Sequence, residues 1–223
     1  QYSNDWNFWV YPQVLPRVNT DDIYTCTELD AKAEEILKNG GKVFLQAAGK
    51  VQNGNEVVQT FTPVFWNTSW FKMRPPHTTG ILVKPDHPAF KYFPTSYHSD
   101  LQWWELLNHQ QVMILDSFPV ELRPLIQPID TWFLNRRLGM LFEAKVGNGK
   151  LMVCSADLAN DLDKRPVARQ LLYSLTQYME SDKFVPQCSV ELSTVKELFE
   201  NKDRSVYRIY TKDSPDELKK NVK

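Results

Sequence analysis

The chain has 223 residues, with 26 Lys and Arg against 27 Asp and Glu, for a formal net charge of −1. So even a balance argues against nucleic acid and against an anionic membrane surface as the main partner, because both select a basic excess. Hydrophobic residues make up 42 % and aromatics 13 %, including seven Trp, enough for a domain-sized core, yet no apolar run reaches the roughly 18–20 residues that span a bilayer.

In chain order, Gln1 opens onto polar sequence without the apolar run of a signal peptide, as a mature form or an excised piece would. Trp6-Asn7-Phe8-Trp9-Val10-Tyr11 is aromatic and β-branched and stops at Pro12, which predicts a strand. Glu28 to Asn39 has helical spacing, with Leu29, Ala33, Ile36 and Leu37 on one face. Thr25 or Thr27 is placed to cap it, and Gly40-Gly41 to stop it. Lys42 to Gly49 follows as a short apolar strand. Strand, helix and strand at these lengths predict a βαβ unit with parallel strands.

Residues 50–111 read as a long excursion rich in aromatic clusters, with one short strand at Gly80 to Val83 and a turn into a short helix at Pro85 to Phe90. Val112 to Leu115 and Leu125 to Ile129 are two further short strands, Pro128 marking an end or an edge. Gly139 to Val146 and Lys150 to Ser155 flank Gly147-Asn148-Gly149, the clearest hairpin signal in the chain. Arg165-Pro166 opens a helix with Asp163 as a cap and Val167, Leu171, Leu172, Leu175 and Tyr178 on its apolar face. A short helix over Thr194 to Asn201 and a charged, frayed end over Lys212 to Lys223 complete the chain. The order predicts an α/β fold with a mixed sheet, parallel first and with the antiparallel hairpin late. The α/β domain covers 1–185, with 50–111 as its insertion, and 186–223 is an extension.

The chemistry-bearing signals are sparse. There is no GxSxG, no GxGxxG and no phosphate-binding loop. Cys26, Cys154 and Cys188 are scattered, and Cys154 lies in an apolar run that reads as core. His77, His87, His98 and His109 lie in or beside the excursion. His98 and Asp100, with Glu105 nearby, are two ligands without a second close pair, so no metal site is expected. Carboxylates such as Asp116, Glu121, Asp130, Glu143, Asp157, Asp161 and Asp163 show no glycosidase pairing in sequence, and no barrel is present to hold one. Arg165 and Arg169 either pair with Asp157, Asp161 or Asp163 or face a partner. The richest pattern alternates aromatic and polar residues: Trp66, Asn67 and Trp70; Trp103, Trp104 and Glu105; Asp130 and Trp132. Such residues either pack an insertion onto its sheet or stack on a sugar and fix its hydroxyls. With His98 and Asp100 they are the candidate ligand-binding set.

Three stretches carry a resemblance: Phe65 to Phe71, His98 to Leu106, and Gln127 to Trp132 continuing to Arg136-Arg137-Leu138-Gly139. They resemble the C-terminal region of large family 2 glycoside hydrolases, β-galactosidase-like enzymes of Bacteroides-type gut bacteria, over about Trp6 to Ser181. The resemblance implies a flavodoxin-like, class I glutamine-amidotransferase-like three-layer sandwich following a sugar-binding jelly roll and a catalytic barrel. An amidotransferase carries a nucleophilic Cys at the turn after a strand. The comparable turn here, Gln46-Ala47-Ala48-Gly49, has none, and no His-x-Glu pair follows the hairpin. The resemblance therefore implies a degenerate, non-catalytic accessory domain without a cofactor. Its partners would be the other domains of a periplasmic or secreted glycosidase, a second copy, or β-galactoside sugars. The competing expectation is a stand-alone hydrolase with a carboxylate and histidine site in the loops around His98 and Asp130.

Overall fold

The computed structural model describes residues 2–57, 59, 61, 78–130 and 134–201. Eight strands form one six-stranded sheet and one small ribbon. In the main sheet the spatial order is β1 (Ile23–Cys26), β2 (Lys42–Gln46), β8 (Gly149–Cys154), β7 (Leu141–Val146), β5 (Ile126–Pro128) and β3 (Ile81–Val83). The first three run parallel, and each later neighbour is antiparallel to the one before. The ribbon pairs β4 (Met113–Ile114) with β6 (Leu138–Gly139).

Side chains alternate across the central strands and divide the core in two. Val43, Leu45, Leu151, Val153, Phe142 and Ala144 face α1 (Ala31–Lys38) and α4 (Leu192–Lys196). Phe44, Met152, Cys154 and Leu141 face the opposite way, onto α3 (Pro166–Glu180), which buries Ala168, Leu171, Leu175, Tyr178 and Met179. Both faces are thus covered, which explains why the central strands read as continuous apolar runs.

The βαβ unit forms, but from a different first strand. Residues 6–11 make no strand, and Trp6, Phe8 and Val10 are exposed. Ile23–Cys26 pairs with β2 instead. Only four residues separate it from α1, so it reaches β2 with little loop to close, whereas a strand ending at Tyr11 would carry a long linker. Tyr11 still anchors the arm: its ring stacks on Phe93 at 6.4 Å, and its hydroxyl accepts a hydrogen bond from Gln102.

The helix start also moves. Neither Thr25, which lies in β1, nor Thr27 caps α1. Asp30 does, accepting from the Ala33 N–H at 2.7 Å, while its other oxygen accepts from the Tyr24 hydroxyl at 2.7 Å. At the far end Asn148, in the hairpin turn, donates to the Lys38 carbonyl at 3.0 Å. That turn comprises Gly147, with φ +58°, and Asn148. The next residue, Gly149, has no room for a side chain, because a Cβ there would stand 2.6 Å from the Leu37 Cα. The hairpin therefore pins α1 to the sheet. At α3 the position before Pro166 is Arg165, without a side-chain cap. Asp163 is not the cap.

The excursion is tied into this frame. It supplies edge strand β3, a 3₁₀ turn at Pro88–Phe90 packed on α3, and α2 (Trp104–Asn108). No described helix is long and apolar enough to cross a membrane.

Candidate functional site

The parallel strands β2 and β8 end side by side, and the chain leaves them in opposite directions. After β2, the Ala47 N–H donates to the Cys154 carbonyl at 2.7 Å, the last rung of the pairing. The chain then turns through Ala48 and Gly49, the latter at φ +76°, and runs to the α4 side, where Gln52 and Asn53 donate to the Leu198 carbonyl. After β8 the chain passes Asp157 and Asn160 and enters α3 on the other face. Strand ends where successive connections diverge are where open α/β sheets form ligand crevices.

A cavity of about 330 Å³ occupies this place, lined by Ala48 and Gly49, residues 108–111, Asp157 and Asn160. The segment after α2 crosses the end of β8: Gln111 N–H donates to the Ser155 carbonyl at 3.0 Å, and Asp157 N–H to the His109 carbonyl at 2.8 Å. Two adjacent glutamines behave differently there. The Gln111 amide is fully engaged with Val51. The Gln110 amide is buried, and neither its Nε2 nor its Oε1 has a hydrogen-bond partner.

The acidic groups beside the cavity are committed to structure. Asp157 accepts from the Ala159 and Asn160 N–H groups, each at 3.0 Å, and from the Asn160 side chain. Burial raises its pKa, but these hydrogen bonds and the Arg165 charge outweigh it and hold the carboxyl below its usual range. Arg165 lies between Asp157, at 3.1 Å, and Glu105, and also donates to the Asn160 and Asp157 carbonyls at 2.8 and 2.7 Å. Of the two alternatives for Arg165, the structure shows pairing, with Asp157 and Glu105. Arg169 donates to the Pro12 carbonyl at 3.1 Å.

The residues singled out in the sequence are distributed unevenly. Trp66, Asn67, Trp70 and Trp132 lie outside the described residues. Trp103 is fully buried; its indole N–H donates to Thr95 at 2.9 Å and its ring meets Phe93 edge-on at 5.3 Å. It serves the core. Trp104, one residue on, is 54 % exposed and meets Phe61 edge-on at 5.4 Å. His98 is exposed beside β3, bridging to Leu82. Asp100 caps the 3₁₀ turn Leu101–Trp103, accepting from the Gln102 N–H at 3.1 Å. Burial raises its pKa, partly offset by that bond and by the nearby His98. Asp130 and Arg136 form a buried two-point pair, Nε at 2.8 Å and Nη2 at 3.1 Å, and Asp130 also accepts the Arg136 N–H at 2.9 Å. Glu56 joins at 3.4 Å. The structure thus links Glu105 through Arg165 to Asp157 on the cavity wall, while Trp103 and Asp130 act in packing and pairing.

Sequence reasoning missed the importance of Gln110 and Asn160. The available signal was the Gly49 turn after an apolar strand together with Asp157-x-x-Asn160 after another. It also missed a cluster under α3. The Tyr178 hydroxyl donates to Glu143 at 2.7 Å, and His87 meets the Tyr178 ring edge-on at 5.1 Å. Burial pushes His87 down to about 4, aided by Lys84, and raises Glu143. Cys154 is buried against α3, and burial pushes its thiol up to about 12, the behaviour of a packing residue rather than a nucleophile. Among the described residues no group of three His, Cys, Asp or Glu is placed to hold a metal.

No curated protein significantly matches the chain. Residues 24–200, from the first sheet strand to just past the last helical turn, match the family described as Domain of unknown function (DUF8487). That match spans well over half of the sequence, and the chain belongs to this family.

Proposed function

We propose that the chain is a non-catalytic accessory domain of a carbohydrate-degrading enzyme, a β-galactosidase-like family 2 glycoside hydrolase, built on a flavodoxin-like, class I amidotransferase-like frame with three layers. The observation that carries this reading is the turn at the end of β2. An amidotransferase needs a thiolate there, and this chain has Ala47, Ala48 and Gly49, the last two lining the strand-end cavity. The adjacent acids do not substitute for it. Asp157 is saturated by hydrogen bonds, and Glu105 is paired with Arg165 through Oε1 while its other oxygen is buried away from solvent. A general acid or base needs a free proton site within reach of substrate.

Contact with other domains or with a second copy is supported by exposed apolar side chains on the described surface. Trp6, Phe8 and Val10 on the arm are each at least 80 % exposed, and Tyr97, Leu101 and Trp104 are exposed on the excursion itself. Large exposed apolar groups suit interfaces. The periplasmic or secreted compartment follows from the glycosidase assignment. The test is the full-length gene product. It is expected to hydrolyse aryl β-galactosides through a separate barrel and to keep that chemistry when residues 24–200 are removed, at some loss of stability or assembly. A gene product without a glycosidase barrel overturns the reading.

A further inference from the structure

We propose that Asn39 is a site of spontaneous deamidation, the one among the chain's three Asn-Gly pairs that the fold leaves open to it, and that its conversion loosens the C-terminal end of α1. The site does not depend on the accessory-domain reading.

Asn-Gly favours this reaction because glycine has no Cβ to hinder its amide nitrogen and its backbone turns freely. The Gly nitrogen gives up its proton to water and attacks the Asn Cγ. A C–N bond forms, the bond to Nδ2 breaks, and ammonia leaves a cyclic imide behind. Water then adds across one of the two imide bonds. The product is an aspartate or, with the main chain rerouted through the side chain, an isoaspartate. The net change is one water consumed and one ammonia released, with no oxidation or reduction.

The three pairs are Asn39-Gly40, Asn53-Gly54 and Asn148-Gly149, and the fold holds them differently. Asn53 is only 5 % exposed. Its N–H donates to the Leu198 carbonyl at 3.0 Å, its carbonyl accepts from the Ile114 N–H at 3.0 Å, and its side chain donates to the Ile114 carbonyl at 3.4 Å. A Cβ on Gly54 would stand 2.1 Å from the Val112 carbonyl oxygen, so that turn has no room to move. Asn148 is exposed, but its Nδ2, the leaving group, is committed to the Lys38 carbonyl at 3.0 Å, and Gly149 lies in β8 hard against Leu37.

Asn39 has neither restraint. It is exposed, it ends α1, and its side chain has no hydrogen-bond partner among the described residues. The attacking Gly40 nitrogen is held by a bond of 3.3 Å to the Leu37 carbonyl, at the long end of the range. A Cβ on Gly40 would meet nothing closer than 3.7 Å. Attack requires rotation about the Asn39 ψ, which is 8° in the fold, and a helix end opens at little cost. The new carboxylate then faces the negative end of the α1 dipole. It also adjoins the Lys38 carbonyl through which Asn148 pins α1 to the hairpin.

The experiment incubates the folded full chain at mildly alkaline pH beside the same chain in guanidinium chloride, and follows both by peptide mapping with mass spectrometry. Unfolded, the three pairs should convert at comparable rates. Folded, Asn39 should convert at least about tenfold faster than Asn53 and Asn148, whose reaction waits on larger openings. Asn39→Gln should suppress ammonia release from the folded chain. The singly converted protein, separated by ion exchange on its added negative charge, should melt below the unconverted one. Conversion at Asn53 or Asn148 that keeps pace with Asn39 in the folded chain overturns the assignment of the site. So does an unconverted Asn39 while the unfolded chain reacts, or ammonia release that Asn39→Gln leaves intact. Equal melting temperatures overturn the loosening of α1.

Discussion

The Gln111 side-chain amide bonds to both backbone groups of Val51, accepting from its N–H at 3.0 Å and donating to its carbonyl at 3.1 Å across 60 residues of sequence. These two residues are the stem of the excursion over 50–111. The pairing imitates a strand rung and satisfies the backbone of Val51, whose residue surface is fully buried. Gln111→Ala would strand a donor and an acceptor in the interior. We expect a loss of about 2–4 kcal/mol, read as a lower urea midpoint at unchanged m-value. A shift below about 0.5 kcal/mol would mean that the stem is held elsewhere.

The adjacent indoles provide a sharp contrast. Trp103 is fully buried and hydrogen-bonded, so Trp103→Ala should cost about 3–5 kcal/mol. Trp104 is half exposed with one edge-on contact, so Trp104→Ala should cost about 1 kcal/mol. Equal losses in thermal melts would contradict this assignment of one to core and the other to surface.

Asp130 and Arg136 have side chains only 2 % and 7 % exposed. Asp130→Ala leaves the guanidinium buried beside Glu56 alone and should cost about 3–5 kcal/mol. The double change Asp130→Leu with Arg136→Met should recover much of that loss. A stable single variant would show that Asp130 is not a strut, and would reopen a ligand role for it.

His87 is expected to make the fold sensitive to acid. Its folded pKa, near 4, lies below the ordinary value of 6.5, so between those values the unfolded chain binds a proton that the native state excludes. Its contribution is intact above about pH 6.5 and is lost as pH falls toward 4, by about 1–2 kcal/mol after discounting for solvent at this half-buried site. Glu143, raised by burial, acts with the opposite sign: its contribution is present at low pH and lost as pH rises through its folded pKa. The His87 part is therefore read as the difference between the parent and His87→Asn, which retains a capping acceptor for the Ala89 N–H. A parallel pair of stability–pH curves would contradict it.

Much of the frame was legible because it depends on local signals. Gly147-Asn148 between apolar runs specifies a hairpin, and the spacing of Leu171, Leu175 and Tyr178 specifies α3. The first strand was not legible: Trp6 to Tyr11 has the stronger strand composition, and the choice of Ile23–Cys26 is made by loop length and by the edge of β2. Removing residues 2–10 should accordingly leave the melting temperature unchanged. Tyr11→Ala, which loses the stack on Phe93 and the bond from Gln102, should cost about 1–2 kcal/mol.

The candidate site was only partly legible. Residue types marked Glu105 and Asp130 as chemistry, but neither spacing nor composition shows that Arg165 and Arg136 consume them. Gln110 and Gln111 are indistinguishable in sequence. Their difference arises from which one faces the Val51 backbone, a contact across 60 residues.

The most direct test of the central claim is the activity of the purified chain itself toward 4-nitrophenyl β-D-galactopyranoside and toward glutamine. With Ala48 at the strand-end turn and Asp157 and Glu105 held in structural pairs, the account predicts no nitrophenol or ammonia release above background. Turnover that survives repurification and disappears on replacing Asp157, Glu105, His98 or Asp130 singly would contradict it.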